Sequence, residues 1–389
     1  MVDAGFRAKI ARLVDEYGKA DRSSFLGARF DAGLAWVHFP QGHGGLGLPR
    51  TEQIAVEEEF ARLGAPATAQ ADNVIGYGMA APTILDFGTD EQRNALLRPI
   101  FTGEDVWCQL FSEPGAGSDL AAVATRAVRD GEDWIVTGQK VWTSFAHVAK
   151  WAILLARTDP EVPKHRGLTY FIADMTASGV EVRPLRQLTG EAEFNEVFFT
   201  DVRVPDSARL GEEGHGWAVA QGTLMNERMA IGGSAARESG MVGKLAALWR
   251  ERPDLRRPAL HDRLMRLWVE AEAYRMASER QRQQLLAGRP GPDGSGSKVT
   301  YAQLNQDSTA LELEVLAAEG LRHDDWSLRR PTESNWLAGG ATHRYLRTKG
   351  NSIEGGTSEI LLNVIAERVL GLPREPRTDG GASGKDLRR

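Results

Sequence analysis

Around residue 106 the spacing of apolar residues changes, and around residue 215 it changes back. Before the first change, Phe6, Ile10, Leu13 and Tyr17 recur at helical intervals, as do Ile54, Val56, Phe60 and Leu63. After it, runs such as Trp134-Ile-Val-Thr-Gly-Gln-Lys-Val-Trp142 are rich in β-branched and aromatic residues and are separated by turns. Beyond residue 215 long amphipathic stretches return, with Leu264, Leu267, Trp268, Ala271 and Tyr274 against a charged face. Helices, then a sheet, then helices again is a restrictive order. It predicts an α+β multidomain chain with an N-terminal α-helical domain over 1–105, a central antiparallel β domain over 106–214 and a C-terminal helical region over 215–373. The clefts between these layers are where a cofactor could be held.

Local signals support the boundaries. Thr89-Asp-Glu-Gln92 is a capping-box pattern, and Gly103 is placed to end the helix it starts. Thr51 is a candidate cap for the helix carrying Ile54. Asp130-Gly131 marks a hairpin between two strands. Gly288–Gly296 reads as a connector, with a helix from Lys298, and the tail over 374–389 is Gly-, Pro- and charge-rich and is expected to be disordered.

Composition narrows the function. A net charge of −6 disfavours nucleic acid and anionic membrane as partners. The single cysteine, Cys108, lies in an apolar run and reads as a small buried hydrophobe, so no disulfide framework or cysteine-based metal site is expected. His43, in the glycine-rich loop after Pro40, has no second ligand at metal spacing, and no metal is expected. No apolar run approaches the ~20 residues of a membrane span, and the N-terminus lacks an apolar signal core, so the expected location is the cytoplasm.

Two segments carry chemistry. Trp107-Cys-Gln-Leu-Phe-Ser-Glu-Pro-Gly-Ala-Gly-Ser-Asp119 runs from a strand into a glycine turn that could present N–H groups to a phosphate. It is neither a Walker A loop nor a dinucleotide fingerprint, and alone it reads better as a turn with no ligand. The second segment, Gly138 to Ser144, adds an exposed-looking Trp142 with hydroxyls at Thr143 and Ser144, a stacking face with donors for a flat polar ring.

Ser112-Glu-Pro-Gly-Ala-Gly-Ser-Asp119, Gly138-Gln-Lys-Val-Trp142, Phe194-Asn-Glu-Val-Phe-Phe199 with Val202-Arg-Val-Pro205, and Gly355-Gly-Thr-Ser-Glu-Ile360 together resemble the acyl-CoA dehydrogenase superfamily, in its order and spacing over residues 1–373. Leu188-Thr-Gly-Glu-Ala-Glu-Phe-Asn-Glu196 resembles the bacterial subset acting on branched, aromatic or sterol-side-chain acyl-CoAs. The resemblance implies a C-terminal four-helix bundle, bound FAD, and conversion of an acyl-CoA to the trans-2-enoyl-CoA, a glutamate removing the proton and FAD taking the hydride. It implies that Gln109, Leu110, Phe111, Ser112, Gly117 and Ser118 line the flavin and its pyrophosphate, that Trp142, Thr143 and Ser144 lie along the isoalloxazine, and that Thr357 and Glu359 reach the adenosine side. Ser118 and Arg228 would lie near the acyl-CoA.

Family members carry the base either just before Gly-Thr in the last loop or on the first C-terminal helix before an arginine. Here the first position is Gly355, with Glu354 one residue early, whereas Leu224-Met-Asn-Glu-Arg228 matches the second. Glu227 is therefore the expected base and Glu354 the runner-up. Two motifs that reach a neighbouring subunit's FAD are replaced by Leu248–Pro258 and Glu314–Gly320. The expected assembly is a homotetramer or a heterotetramer with a sister subunit, and the expected acceptor an electron-transfer flavoprotein or its equivalent. A half-site partner subunit without catalysis, and a flavin oxidase or monooxygenase on the same fold, are the alternatives.

Overall fold

The computed structural model describes residues 4–231, 238, 240–286, 294–323, 325–333, 336–374 and 383–386. Five α-helices open the chain: α1 (Ala4–Tyr17), α2 (Arg22–Asp31), α3 (Glu52–Arg62), α4 (Ala81–Phe87) and α5 (Asp90–Thr102). Both arms of the Thr89/Gln92 capping box form, and Gly103 closes α5 at φ 80°. Thr51 does not cap α3, because it already has helical backbone angles (φ −57°, ψ −30°) and its side chain makes no cap bond. No helix among the described residues is long and apolar enough to cross a membrane.

Seven strands follow: β1 (Trp107–Leu110), β2 (Arg126–Asp130), β3 (Asp133–Ser144), β4 (Trp151–Arg157), β5 (Leu168–Asp174), β6 (Val180–Pro184) and β7 (Phe194–Pro205). They form one sheet in the order β1-β4-β2-β3-β7-β6, with β5 also on β4. The β2/β3, β3/β7, β4/β5 and β6/β7 pairs are antiparallel as expected. In contrast, β1 runs parallel to β4, and β2 meets β4 in parallel at Arg126 and Arg157. The long excursion from Leu110 to Trp151 supplies the crossover that a parallel pair needs.

The sheet sits between two cores, which is why β4 and β5 read as unbroken apolar runs. Ile153, Leu155, Leu168, Tyr170 and Ile172 face the helices of the N-terminal domain. The alternate residues Ala152, Leu154, Ala156, Phe171 and Ala173 face the second core, beside Cys108 and Trp134. Cys108 is buried, as expected, and burial pushes its thiol pKa up, so it stays protonated.

The C-terminal helices are α6 (Gly216–Ile231), α7 (Met241–Glu251), α8 (Pro258–Leu286), α9 (Gly294–Leu316), α10 (Ala341–Thr348) and α11 (Ser358–Val364). Helix α9 is the hub, packed by α7, α8, α10 and α11. Helix α6 instead packs on β5 and α4, at the junction of all three regions. Helix α9 begins at Gly294, so the last residues of the expected connector form its first turn. Within the tail expected to be disordered, residues 383–386 meet the β domain: Ser383 bridges to Pro163, and the Gly384 amide donates to Val162 O at 3.1 Å.

Candidate active site

Strand β1 runs on into the glycine turn, and β3 is laced to it. The Val141 amide donates to Ser112 O at 2.9 Å, and Glu113 and Ala116 exchange backbone bonds of 3.1 and 3.0 Å that close the turn. Beneath it lies Lys140, 0% exposed. Its ammonium donates to Phe111 O (3.0 Å), Glu113 Oε1 (2.8 Å) and Leu155 O (2.8 Å), which uses all three protons. Glu113 in turn accepts from the amides of Ala124 (2.6 Å) and Thr125 (2.9 Å). Burial pushes the Glu113 carboxyl up, but Lys140 and the amide donors outweigh it and hold its pKa below the usual range. Burial also lowers the Lys140 pKa, against the pull of Glu113. Arg157 extends the support by donating to Val123 O (3.0 Å) and Ala121 O (2.7 Å).

Above this base the surface is open. Gly115, Gly117, Ser118 and Asp119 are exposed. A Cβ at Gly115 or Gly117 would meet nothing within 4 Å. Neither residue has positive φ and nothing in the chain crowds either, so the turn leaves room for the close approach of an outside group. Gln109 is half-buried on this side of β1, and the Phe111 side chain is buried. Leu110 does not line the surface with its side chain, which is buried in the second core because alternate strand residues face opposite ways.

The next feature is a β-bulge. In the β3/β7 ladder the register passes from Lys140↔Val197 to Thr143↔Asn195, one residue longer on β3. Trp142 takes up the extra residue at φ 60°, a left-handed conformation uncommon for a bulky side chain. The bulge leaves its indole 58% exposed, with Phe194 edge-on at 5.8 Å. Thr143 is buried, and its hydroxyl has no partner within the protein; Ser144 is half-buried beside it. The exposed indole, the half-buried Ser144 and the uncrowded glycine turn are thus joined through the Val141–Ser112 backbone bond, whereas the Thr143 hydroxyl is buried away from that surface.

The last loop lies against that surface. Gly355 (φ 63°) and Gly356 (φ 92°) turn the chain into α11, where Thr357 Oγ1 caps the helix by accepting from the Ile360 amide at 3.2 Å. Glu359 is exposed in the first turn. Glu354 is already engaged: it accepts from Asn351 Nδ2 (2.6 Å) and pairs with Arg347 (3.1 Å).

Glu227 and Arg228 fall on α6, and their side chains lie outside the described residues. The helix that carries them is anchored one turn earlier. Thr223 Oγ1 lies 2.9 Å from both Thr83 Oγ1 and Tyr170 Oη, so a hydroxyl node joins α4, β5 and α6. Tyr170 also meets Phe111 edge-on at 5.7 Å. Tyr170→Phe is expected to cost about 1 kcal/mol in denaturant unfolding, the worth of one buried hydrogen bond. Thr223→Val, which strips the shared partner from both neighbours, is expected to cost more; equal costs would refute the node.

Sequence reading missed Glu113, Lys140, Tyr170, Thr223 and Arg347. For Lys140 the signal was present: it falls in step with Trp134 and Val136 on the buried face of β3, where a lysine needs a buried partner. The two segments that depart from the subunit-crossing motifs also touch each other: Arg252 pairs with Glu319 at 2.9 Å, and Arg257 donates to Glu314 O. Among the described residues no cluster of three or more His, Cys, Asp or Glu could hold a metal ion.

Profiles of the acyl-CoA dehydrogenase N-terminal, middle and C-terminal domains match residues 1–104, 108–202 and 214–370. The chain is 41% identical over 372 residues to acyl-CoA dehydrogenase FadE34 of Mycobacterium tuberculosis, covering 95% of this chain but only 49% of that protein, so it spans about half the length of that relative. Acyl-CoA dehydrogenase IpdE1 of the same organism is 38% identical over 347 residues, covering 89% of this chain and 86% of IpdE1. Among solved structures, the Tcur3481-Tcur3483 steroid ACAD matches with a TM-score of 0.74 at 27% identity, over 96% of this chain and 98% of that one. The ChsE4-ChsE5 complex from Mycobacterium tuberculosis matches with a TM-score of 0.72 at 29% identity, over 95% and 96%.

Proposed function

The chain belongs to the acyl-CoA dehydrogenase family, oxidoreductases acting on CH–CH groups, and from that premise we propose that it converts an acyl-CoA thioester to the trans-2-enoyl-CoA. The observation that carries the reading is the open Gly115–Asp119 turn beside the exposed Trp142 on the strand laced to it. These residues fit a flavin dinucleotide: amides of the turn, with Ser112, Gly117 and Ser118, suit a pyrophosphate, and Trp142, Thr143 and Ser144 suit a flat ring with polar edges. Gln109, Phe111 and the Leu110 backbone complete that surface, and Thr357 and Glu359 stand on the adenosine side. FAD, when bound, supplies the acceptor for the substrate hydride.

The chain's own residues supply the rest. Glu227 takes the α-proton, since Glu354 is already neutralised by Arg347. Ser118 and Arg228 hold the acyl-CoA. Turn and helix donors polarise the thioester carbonyl as enolate character develops. The steroid ACAD among the similar structures supports a bulky, sterol-side-chain type of acyl group.

The assembly we propose is a heterotetramer with a sister subunit, passing electrons to an electron-transfer flavoprotein or its equivalent. Two observations support it: the departed subunit-crossing segments contact each other through Arg252–Glu319 and Arg257–Glu314 O, and the matched ChsE4-ChsE5 structure is a complex of two chains. The test is to purify the chain alone and co-expressed with a candidate sister, then add steroid-side-chain acyl-CoAs anaerobically. Bleaching of a yellow protein with enoyl-CoA formation is expected. Oxygen consumption without enoyl product would indicate an oxidase, and a colourless protein in both preparations would indicate a half-site subunit without catalysis.

A further inference from the structure

Arg347 on α10 is buried between two carboxylates from distant parts of the chain, its side chain 11% exposed. Its Nε and Nη2 each lie 3.1 Å from Glu193 Oε1. Its Nη2 also lies 3.1 Å from Glu354 Oε2, and Nη1 donates to Glu354 Oε1 at 3.3 Å. The planar guanidinium can hold both carboxylates in one fixed geometry, which a lysine cannot.

Each carboxylate is tied to one of the two flavin-facing segments, Glu193 by a backbone bond and Glu354 by chain continuity. Glu193 O accepts from the Phe145 amide at 2.8 Å, next to Trp142–Ser144. The guanidinium also lies 5.6 Å from the centre of the Phe194 ring, which itself abuts the Trp142 indole. Glu354 immediately precedes the Gly355–Thr357 turn. The nearly buried Arg347–Glu193 pair is a poor way to gain stability, because desolvation offsets most of the attraction, and the Glu354 carboxylate, 37% exposed, adds little by being paired. What it provides is placement.

Resting on the flavin reading above, we propose that Arg347 is a positioning residue that holds the Trp142 segment and the 354–357 turn together as one rigid wall. The residue before the vacant Gly355 position thereby has a use other than as the base. The neighbouring Glu191–His343 pair (2.8 Å) joins the same loop to α10, so removing Arg347 alone does not release that loop from the helix.

The experiment compares wild type with Arg347→Met and Arg347→Lys by amide hydrogen exchange over 142–145 and 353–357, with and without flavin, and by flavin titration. In Arg347→Met, exchange in both segments is expected to quicken and the flavin dissociation constant to rise, each by about tenfold, with partial recovery in Arg347→Lys. Wild-type exchange rates in either segment of Arg347→Met would overturn the proposal. If even the wild type takes up no flavin, the cofactor reading fails, while the flavin-free exchange still decides the clasp. Should Arg347→Met not fold, Phe194→Leu is expected to quicken exchange over 142–145 alone and to shift the bound flavin's visible bands; no change in either would overturn the link.

Discussion

Glu227→Gln is expected to keep its flavin and its thermal midpoint while losing about 10³-fold in the rate at which acyl-CoA reduces that flavin. The carboxamide matches the carboxylate in size, so the fold has no reason to respond. What changes is that no group remains to accept the α-proton. Helix α6 is well placed to carry such a group: Thr223, one turn before Glu227, is fully buried where the N-terminal helices, the sheet and α6 meet. Anaerobic stopped-flow of the flavin band measures the loss. Near-normal reduction in Glu227→Gln would sink the assignment and transfer the test to Glu354→Gln, whose target would first have to leave Arg347.

What could be read from the sequence was what is local. The Thr89/Gln92 box, the Gly103 stop and the Asp130-Gly131 hairpin are each decided by a few neighbouring residues, and each forms. The failure at Thr51 is also local: the helical turn begins before it, with Glu52 N already bonded to Pro49 O at 3.0 Å, so no cap position exists there. The alternation of β4 between two cores hides as a plain apolar run, because both faces are covered. The parallel partnership of β1 with β4 leaves no mark in either strand, since it is chosen by chain path rather than by side chains. The site behaves likewise. Trp142 and the glycine turn are visible as motifs, whereas the supports under them pair residues far apart in sequence, Arg347 with Glu193 across 154 positions and Tyr170 with Thr223 across 53. No periodicity carries such pairs.

Lys140→Met is expected to destabilise the protein by about 3–5 kcal/mol, the cost of leaving a buried charge without its partner. Methionine fills the volume but donates nothing, so Glu113 keeps its charge in the core while Phe111 O and Leu155 O lose the ammonium. Glu113→Gln should cost less, because its one oxygen can still accept from the Thr125 amide and Lys140, and only the bond from the Ala124 amide is lost. The double variant Lys140→Met/Glu113→Gln should therefore be more stable than Lys140→Met alone, a non-additivity that marks the pair as one unit. Acid unfolding separates the variants further. Because the folded-state pKa of Glu113 is depressed, its contribution is present above the unfolded value of 4.5 and is lost as pH falls below it towards the depressed value. Wild type should thus lose stability more steeply than Glu113→Gln below about pH 4.5. Urea unfolding midpoints across pH give both comparisons, and flavin retention shows whether the wall moves with the latch. If Lys140→Met unfolds within about 1 kcal/mol of wild type, the buried pair is not what holds the glycine turn to β3.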